Sequence, residues 1–588
     1  MASRELPVRG ARTLALNLIQ AEREVFPLNI AIDDAAEEDD RASTASDFSA
    51  NSEEDEVLEA NDLEEVSSSS SDSEVEISQT EAINGRQLES SSGVQWRLQM
   101  QDGVQGRAPA INLFRGRAGF SAGLHPANRK EAFLVIMQHF VDITVQYTNA
   151  AGRRFSQENT WRRTDEEEIL AFIGLHLLAG VFKGHHRDTK ELWSERDGHL
   201  LCIATMSFER FLQLKKAMRF DDSRRRDRND KLAPIRAIVD GFNAALRTVY
   251  NPGPYLCVDE MLIEFHGRVS FRQYIPSKPG KFGIKVFWCV DVDNTVPVKA
   301  VVYIGGGTTR EDDPRPFAHR IVLELAADHL HAGRNITADN FFTSKQLCED
   351  LLQQNTTFLG TVRQNRRELP PAAKLVTGRV RGDSKHYYTE NISLCSFWDK
   401  KSRPVLLMSS MHRGPLNNTQ SREEGKPDMV LEYNRTKGAV DNLDKLVRGY
   451  SCKRKCRRWP YSVAMSLVDV AVVCAHKMMV SQCESLDDHY TFRKELAYEL
   501  CHPLMNRRIQ QPRLRVRIKH ALLQLGVEAP SPPNRPAADH QAKSEKLKRC
   551  SFCPRNLDKK TRQMCWHCQK HVCADHQVVF CQSCSEDM

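Results

Sequence analysis

The hydrophobic pattern of the chain changes at residue 254, from helical spacing upstream to short strand-like runs downstream. LCVDEMLIEF reads as a strand, and VSFRQYI as another after the His266-Gly267 turn. GIKVFWCVD and VPVKAVVYIG flank Asp293-Asn294 as a hairpin. PFAHRIVLELAADHL has helical spacing at Ile321, Leu325 and Leu330; NITADN reads as a strand, SKQLCEDLLQQN as a helix and TFLGTVR as a strand. With the short VSFRQYI run set aside, the order of three strands, helix, strand, helix, strand predicts an α/β fold with a mixed sheet. That order puts Asp259 on the first strand and Asp339 at the end of the fourth.

Residues 366–427 interrupt the pattern and read as a polar insertion with short β-like runs, HYYTENISLCSFW and PVLLMSSM. The helix-like VDNLDKLVRGYS follows and carries Asp441 and Asp444. Upstream, residues 128–250 read as helical, with TDEE at 164–167 as a capping box that opens the apolar run 169–181. That run, to Phe182, is about fourteen residues, too short to span a bilayer, which needs about 20. PYSVAMSLVDVAVVCAHKMM is a further helix. Residues 505–549 read as a basic, Pro- and Gln-rich linker with room for ordered parts.

Charge divides the chain. Residues 33–81 hold nineteen acids and one Arg, so with a total of +6 the remainder carries about +24. A body that basic favours a polyanionic partner, most simply nucleic acid. Residues 1–115 are acidic and serine-rich and read as disordered, because they bury too little apolar surface to offset ordering entropy. The serines at 67–71 precede acids and suit an acid-directed kinase. Such a tail would screen the basic body from non-specific DNA. The N-terminus MASRELPVRG lacks the pattern of a secretory signal, and seventeen cysteines without one point to a reducing compartment and to metal binding. No GxxxxGK[ST] loop occurs, and Gly305-Gly-Gly307 reads as a turn.

Asp259, Asp339 and Asp441 come from separate elements that a fold can bring together. A few carboxylates suffice for Mg2+, which prefers oxygen ligands and retains water. Two such ions about 3.5–4 Å apart support phosphodiester cleavage and transfer. Considered alone, an Asp at a strand end is most often a turn or cap residue, and Asp441 and Asp444 read as acids in the first turn of a helix, favoured by its dipole.

The surrounding words are more specific. VDEMLIEFHGRVSFRQYIPSKPGKFGIKVFW, NITADNFFTS, GTVRQNRRE, YNRTKGAVDNLDKL and KCRRWPYSVAM resemble the piggyBac family of DDE/D transposases from about residue 161 to 477. The resemblance implies a catalytic triad of Asp259, Asp339 and Asp441, with Asp444 auxiliary, and two Mg2+ (or Mn2+) ions. It implies excision through hairpin-ended DNA, integration at TTAA, a homodimer on paired transposon ends, and a nuclear location. It implies an organisation of acidic tail (1–115), helical dimerisation and DNA-binding domain (118–253 and 451–535), RNase H-like catalytic domain (254–365 and 428–450), insertion (366–427), basic linker (536–549) and zinc module (550–588). The competing class is a domesticated DNA- or chromatin-binding relative that does not cut; a zinc-dependent ubiquitin-ligase adaptor ranks third.

Several basic residues are candidates for DNA contact. Arg363, Arg366 and Arg367 follow the last predicted strand, and the resemblance puts the first two on target DNA. Lys453, Arg454, Lys455, Arg457 and Arg458 form a dense run suited to phosphates. Trp459 reads either as a base-stacking residue or as core packing. Asn340 reads as a contact to target bases or a helix cap.

The C-terminal tail offers Cys550-x2-Cys553, Cys565-x2-Cys568, Cys573-x2-His576 and Cys581-x2-Cys584. Each pair supplies half of a tetrahedral zinc site, so four pairs imply two structural Zn2+. Alternating assignment groups Cys550, Cys553, Cys573 and His576 on one ion and Cys565, Cys568, Cys581 and Cys584 on the other; sequential pairing is the alternative. Residues 543–549 and 513–519 are candidate nuclear import signals.

Overall fold

A computed structural model describes residues 87–99, 106–107, 109–155, 160–183, 188–194, 196, 198–276, 278–305, 313–399, 403–414, 426–482, 487–528, 543–565 and 568–577. It divides into two compact units, Met1–Pro503 and Leu504–Met588. The acidic segment 33–81 lies outside the described residues.

Order begins earlier than the composition suggests. Strands β1 (Gln87–Glu89) and β2 (Gln95–Arg97) form an antiparallel hairpin inside the stretch expected to be disordered. Trp96 is fully buried there, and its indole N–H donates to the Glu368 carbonyl at 2.8 Å. One buried aromatic with a satisfied N–H anchors a segment whose average composition is too polar to suggest it.

The helical part comprises α1 (Arg129–Phe155), α2 (Glu166–Val181), α3 (Leu200–Thr205), α4 (Phe208–Ala217) and α5 (Arg236–Val249). Helix α2 is capped by Asp165, whose side chain accepts from the Glu168 N–H at 3.0 Å, one residue later than the Thr164 cap expected. Glu168 is buried and takes two hydrogen bonds from Arg210, at 2.9 and 2.6 Å.

The sheet follows the predicted order. Strands β3 (Tyr255–Glu264), β4 (Phe282–Asp291) and β5 (Pro297–Val302) are antiparallel neighbours. Beyond α6 (Phe317–Ala326), β6 (Asn335–Ala338) joins the other side of β3 in parallel. Beyond α7 (Lys345–Gln353), β7 (Thr357–Thr361) joins β6, also parallel. VSFRQYI yields only the two-residue strand Gln273–Tyr274, because the chain leaves the sheet at Pro276 and returns through Lys281 in the left-handed region (φ 50°). Strand β4 is buried along most of its length, as expected of a strand covered on both faces.

Residues 384–409 do not interrupt the sheet; they extend it. Strands β8 (Ser384–Tyr388), β9 (Ser393–Phe397) and β10 (Val405–Ser409) form an antiparallel meander, and β10 pairs with β7. The β1–β2 hairpin then pairs with β8 through Arg97 and Tyr388. The β7 edge, which would otherwise offer unpaired backbone groups, is thereby covered.

Helices α8 (Asp428–Thr436) and α9 (Ala439–Gly449) return to the sheet, α9 packing on β3 and β4. Helix α10 (Trp459–Val480) is longer than the 169–182 run and passes the length and composition test for crossing a membrane. Its apolar window is 78% buried inside the protein, as in a core helix. Within it Asp469 is fully buried against Arg493 of α11 (His489–Ile509), at 2.8 Å. The same two side chains hold the segment after α9. Ser451 Oγ donates to Asp469 at 2.7 Å, the Cys452 N–H at 3.0 Å, and Arg493 donates to the Tyr450 carbonyl at 2.7 Å.

The second unit contains α12 (Val516–Gln524) and an antiparallel hairpin of β11 (Lys543–Arg549) and β12 (Lys560–Gln563) with an irregularity between Lys543 and Lys548. The end of the expected linker is therefore a strand.

Arg493→Ala leaves the Asp469 carboxylate buried without its partner. Its expected cost is about 3–5 kcal/mol, read as a lower midpoint in chemical denaturation of the full-length chain.

Candidate active site

The site begins with strand register. Val258 of β3 pairs with Ala338 of β6, so the next residue on each neighbouring strand is Asp259 and Asp339. Adjacent strands lie about 4.8 Å apart, which sets Asp259, midway along β3, beside Asp339, just past the end of β6. Asp259 Oδ1 accepts from the Glu260 N–H at 2.8 Å, and Asp339 Oδ1 from the Phe341 N–H at 2.9 Å. Burial, followed by the charges of Glu260 and Asp339, pushes the Asp259 carboxyl up to about 7. Burial also raises Asp339, against the pull of the Phe341 N–H and of Arg363.

Asp441 lies in the first turn of α9 and Asp444 three residues on. Buried Val440, Leu443 and Val447 fix the inner face of this helix. Two contacts tie its approach to the sheet: the Cys257 thiol donates to the Lys437 carbonyl at 3.2 Å, and the Thr337 hydroxyl to Thr436 Oγ1 at 2.8 Å. The Asp441 side chain is 66% exposed and stands 3.5 Å from Lys278 Nζ. Burial raises Asp444, while Arg448 at 3.5 Å and Lys278 oppose the shift. Among the described residues the aspartates do not converge as a closed ligand set; the group with ligand atoms all within 4.8 Å of one another is the Cys/His group of the second unit. A pair of half-buried carboxylates with raised protonation and a third, exposed one on α9 is a donor set that suits a hard divalent cation, whose charge would relieve the repulsion.

The basic candidates separate into exposed and occupied. Arg363 and Arg367 are exposed. Arg363 Nε donates to Asn340 Oδ1 at 3.2 Å, bridging the end of β7 to the residue after Asp339. Arg366 is half-buried and donates to the Thr343 carbonyl at 3.0 Å. Lys455 and Arg457 are exposed, whereas Arg454 is buried. Lys453 Nζ is 3.5 Å from the Glu264 carbonyl. Arg458 donates to the Lys215 carbonyl at 2.7 Å, and also to Lys216 and Met218, closing the end of α4. Trp459 packs edge-on to Phe271 with ring centroids 5.2 Å apart, the core-packing arrangement.

In the second unit the Cys550, Cys553, Cys573 and His576 ligand atoms lie within 4.8 Å of one another. Cys553 Sγ is 3.5 Å and Cys573 Sγ 3.4 Å from His576 Nδ1. This is the alternating grouping; Cys565 and Cys568 are not part of it. Cys581 and Cys584 lie outside the described residues.

Lys278 and Glu260 are site residues that spacing alone did not single out. Glu260 adjoins Asp259, and Lys278 sits inside the SKPGK word that carries the resemblance, so both lay within reach of the sequence. Tyr433 is a third: its hydroxyl is 3.3 Å from Thr361 Oγ1, and the charges of Asp339 and Asp259 add to the burial that raises it.

The family model described as Transposase IS4 matches residues 132–476. The chain is 22% identical over 389 residues to human PiggyBac transposable element-derived protein 3, an overlap covering 63% of this chain and 64% of that protein. It is likewise 22% identical over 389 residues to the human Chimeric ERCC6-PGBD3 protein, of which it spans 36%. Among solved structures it is similar to the cryo-EM structure of a piggyBac transposase synaptic complex with hairpin DNA, with a TM-score of 0.67 and 30% identity. That match covers 80% of this chain and 100% of the other.

A carboxyl held at about 7 in the fold keeps its proton where the unfolded chain, near 3.9, has lost it. The folded state then binds more protons, so this group's contribution to stability falls as pH rises from about 4 to about 7 and levels off above. Asp259→Asn is expected to raise the melting temperature of the metal-free protein at pH 8 and to leave it near wild type at pH 4, read by thermal melts across that range.

Proposed function

The chain belongs to the piggyBac-type family described as Transposase IS4, and on that premise we propose that it is a cut-and-paste DNA transposase. The observation that carries the reading is the adjacency of half-buried Asp259 and Asp339, with Asp441 on α9, the helix packed on β3, inside the matched region. The strand order β5-β4-β3-β6-β7, antiparallel then parallel, supports an RNase H-like core.

On this reading Asp259, Asp339 and Asp441 hold Mg2+ or Mn2+, with Asp444 behind them. When bound, two such ions activate a water or 3′ hydroxyl and stabilise the leaving oxygen. The chain's own part is positional. The strand register holds two carboxylates side by side, α9 brings the third, and Arg363 stands at the mouth, where a phosphate would meet its guanidinium. Asn340, Arg363, Arg366, Arg367, Lys455 and Arg457 are the side chains we assign to DNA. Arg454 and Arg458 act mainly as structural cations, because burial and carbonyl contacts occupy them.

The substrates we infer are paired transposon ends, cut with hairpin formation, and TTAA target DNA, handled by a homodimer in the nucleus. The similar structure is by title a synaptic complex with hairpin DNA, which supports DNA as the partner. We assign one structural Zn2+ to Cys550, Cys553, Cys573 and His576, and a second to Cys565, Cys568, Cys581 and Cys584. A module this small needs a metal to fold. A kinase acting on the serines at 67–71 remains part of the proposal. The second reading, a transposase-derived DNA-binding protein that no longer cuts, is favoured by the human relative described as transposable element-derived.

The test is incubation of the purified chain with DNA carrying the element's own ends flanked by TTAA. Mg2+-dependent nicking and hairpins are expected, and both disappear in Asp339→Ala; binding without cleavage selects the second reading. For the zinc module, elemental analysis of the purified chain is expected to give two zinc ions. Cys573→Ser reduces this to one, with loss of protection of residues 543–577 from proteolysis.

A further inference from the structure

Lys278 lies in the loop between Gln273–Tyr274 and β4, and its ammonium reaches two elements of the site. Nζ donates to the Glu260 carbonyl on β3 at 3.2 Å and stands 3.5 Å from Asp441 Oδ1 on α9. Its side chain is 18% exposed, against 66% for Asp441. The loop that carries it is fixed by its own backbone: the Lys278 N–H donates to the Ile275 carbonyl at 3.1 Å, and the Lys281 N–H to the Lys278 carbonyl at 3.0 Å. The same ammonium offsets the burial of Asp259 and Asp444. Other cations nearby are engaged elsewhere: Arg448 on Asp444, Lys453 toward the Glu264 carbonyl and Arg363 on Asn340.

We propose that Lys278 is a placeholder cation: it ties β3, through the Glu260 carbonyl, to the Asp441 carboxylate of α9 when the divalent position is empty, and it opposes entry of the ion. The inference rests on the reading of Asp259, Asp339 and Asp441 as metal ligands. Clustered carboxylates repel, and a partly buried cluster needs a compensating charge. A lysine supplies one on a flexible stem without the rigid geometry of a guanidinium, so it can be pushed aside. A divalent ion that enters meets the ammonium at close range and is repelled by it. Lys278 is thus a positioning residue, one that favours the metal-free geometry and sets a threshold for loading.

The test uses the full-length chain and Mn2+ without DNA. Binding is followed by loss of the free-ion electron paramagnetic resonance signal, with Asp259→Asn defining site-specific binding. Lys278→Met is expected to bind Mn2+ roughly tenfold more tightly than wild type. It should melt below wild type without metal and match it at saturating Mn2+, while Lys278→Arg stays near wild type in both readouts. Unchanged or weaker affinity in Lys278→Met overturns the proposal. So does a melting deficit that saturating Mn2+ does not restore, which marks a structural role. If wild type shows no binding that Asp259→Asn removes, the metal-site reading fails, and the inference fails with it.

Discussion

The parallel pairing of β3 with β6 is the constraint on which the candidate site depends. Because Val258 opposes Ala338, the residues that follow are neighbours, and both are aspartates. Shifting the register by one residue would move the whole hydrophobic set of a strand to its other face. Leu256, Cys257 and Val258 are buried, as are Asn335, Ile336, Thr337 and Ala338, and a slip would exchange apolar Ile336 with polar Asn335 and Thr337, so packing on both faces holds the register that juxtaposes the carboxylates. The repulsion and desolvation that raise Asp259 are thus imposed by the fold, and a cation is the simplest means of relieving them.

The third carboxylate is controlled from a different direction. Asp441 rides on α9, and the segment that leaves α9 is fastened by Asp469 and Arg493, both fully buried. A buried ion pair is a weak source of net stability. Here it also satisfies Ser451, the Cys452 N–H and the Tyr450 carbonyl, so what it contributes is a fixed exit for the helix. The α10 and α11 helices therefore bear on the position of Asp441 through the exit of α9.

Much of this was legible in the chain. The α/β class followed from the change of period at residue 254, since GIKVFWCVD and VPVKAVVYIG can hardly be anything but strands around an Asp-Asn turn. The β1–β2 hairpin was not legible: Trp96 is a single aromatic among polar residues, and its partner, the Glu368 carbonyl, is distant in sequence. The strand character of HYYTENISLCSFW and PVLLMSSM could be read, but their pairing onto β7 could not, because sheet order depends on non-local contacts. In the basic run, spacing gives charge without direction, and so it did not reveal that Arg454 turns inward or that Arg458 closes α4. The paired spacing of the tail could be read, and among the described residues Cys550, Cys553, Cys573 and His576 lie together, the grouping that alternating assignment expects for one ion.

The central claim is that carboxylates from β3, β6 and α9 form one divalent-cation centre. Anomalous diffraction from crystals grown with Mn2+ tests it most directly. The account predicts ion density bounded by Asp259, Asp339 and Asp441, with Asp441 turned from Lys278 toward the strand ends. Crystals saturated with Mn2+ that show no ion there, with Asp441 still on Lys278, would contradict it.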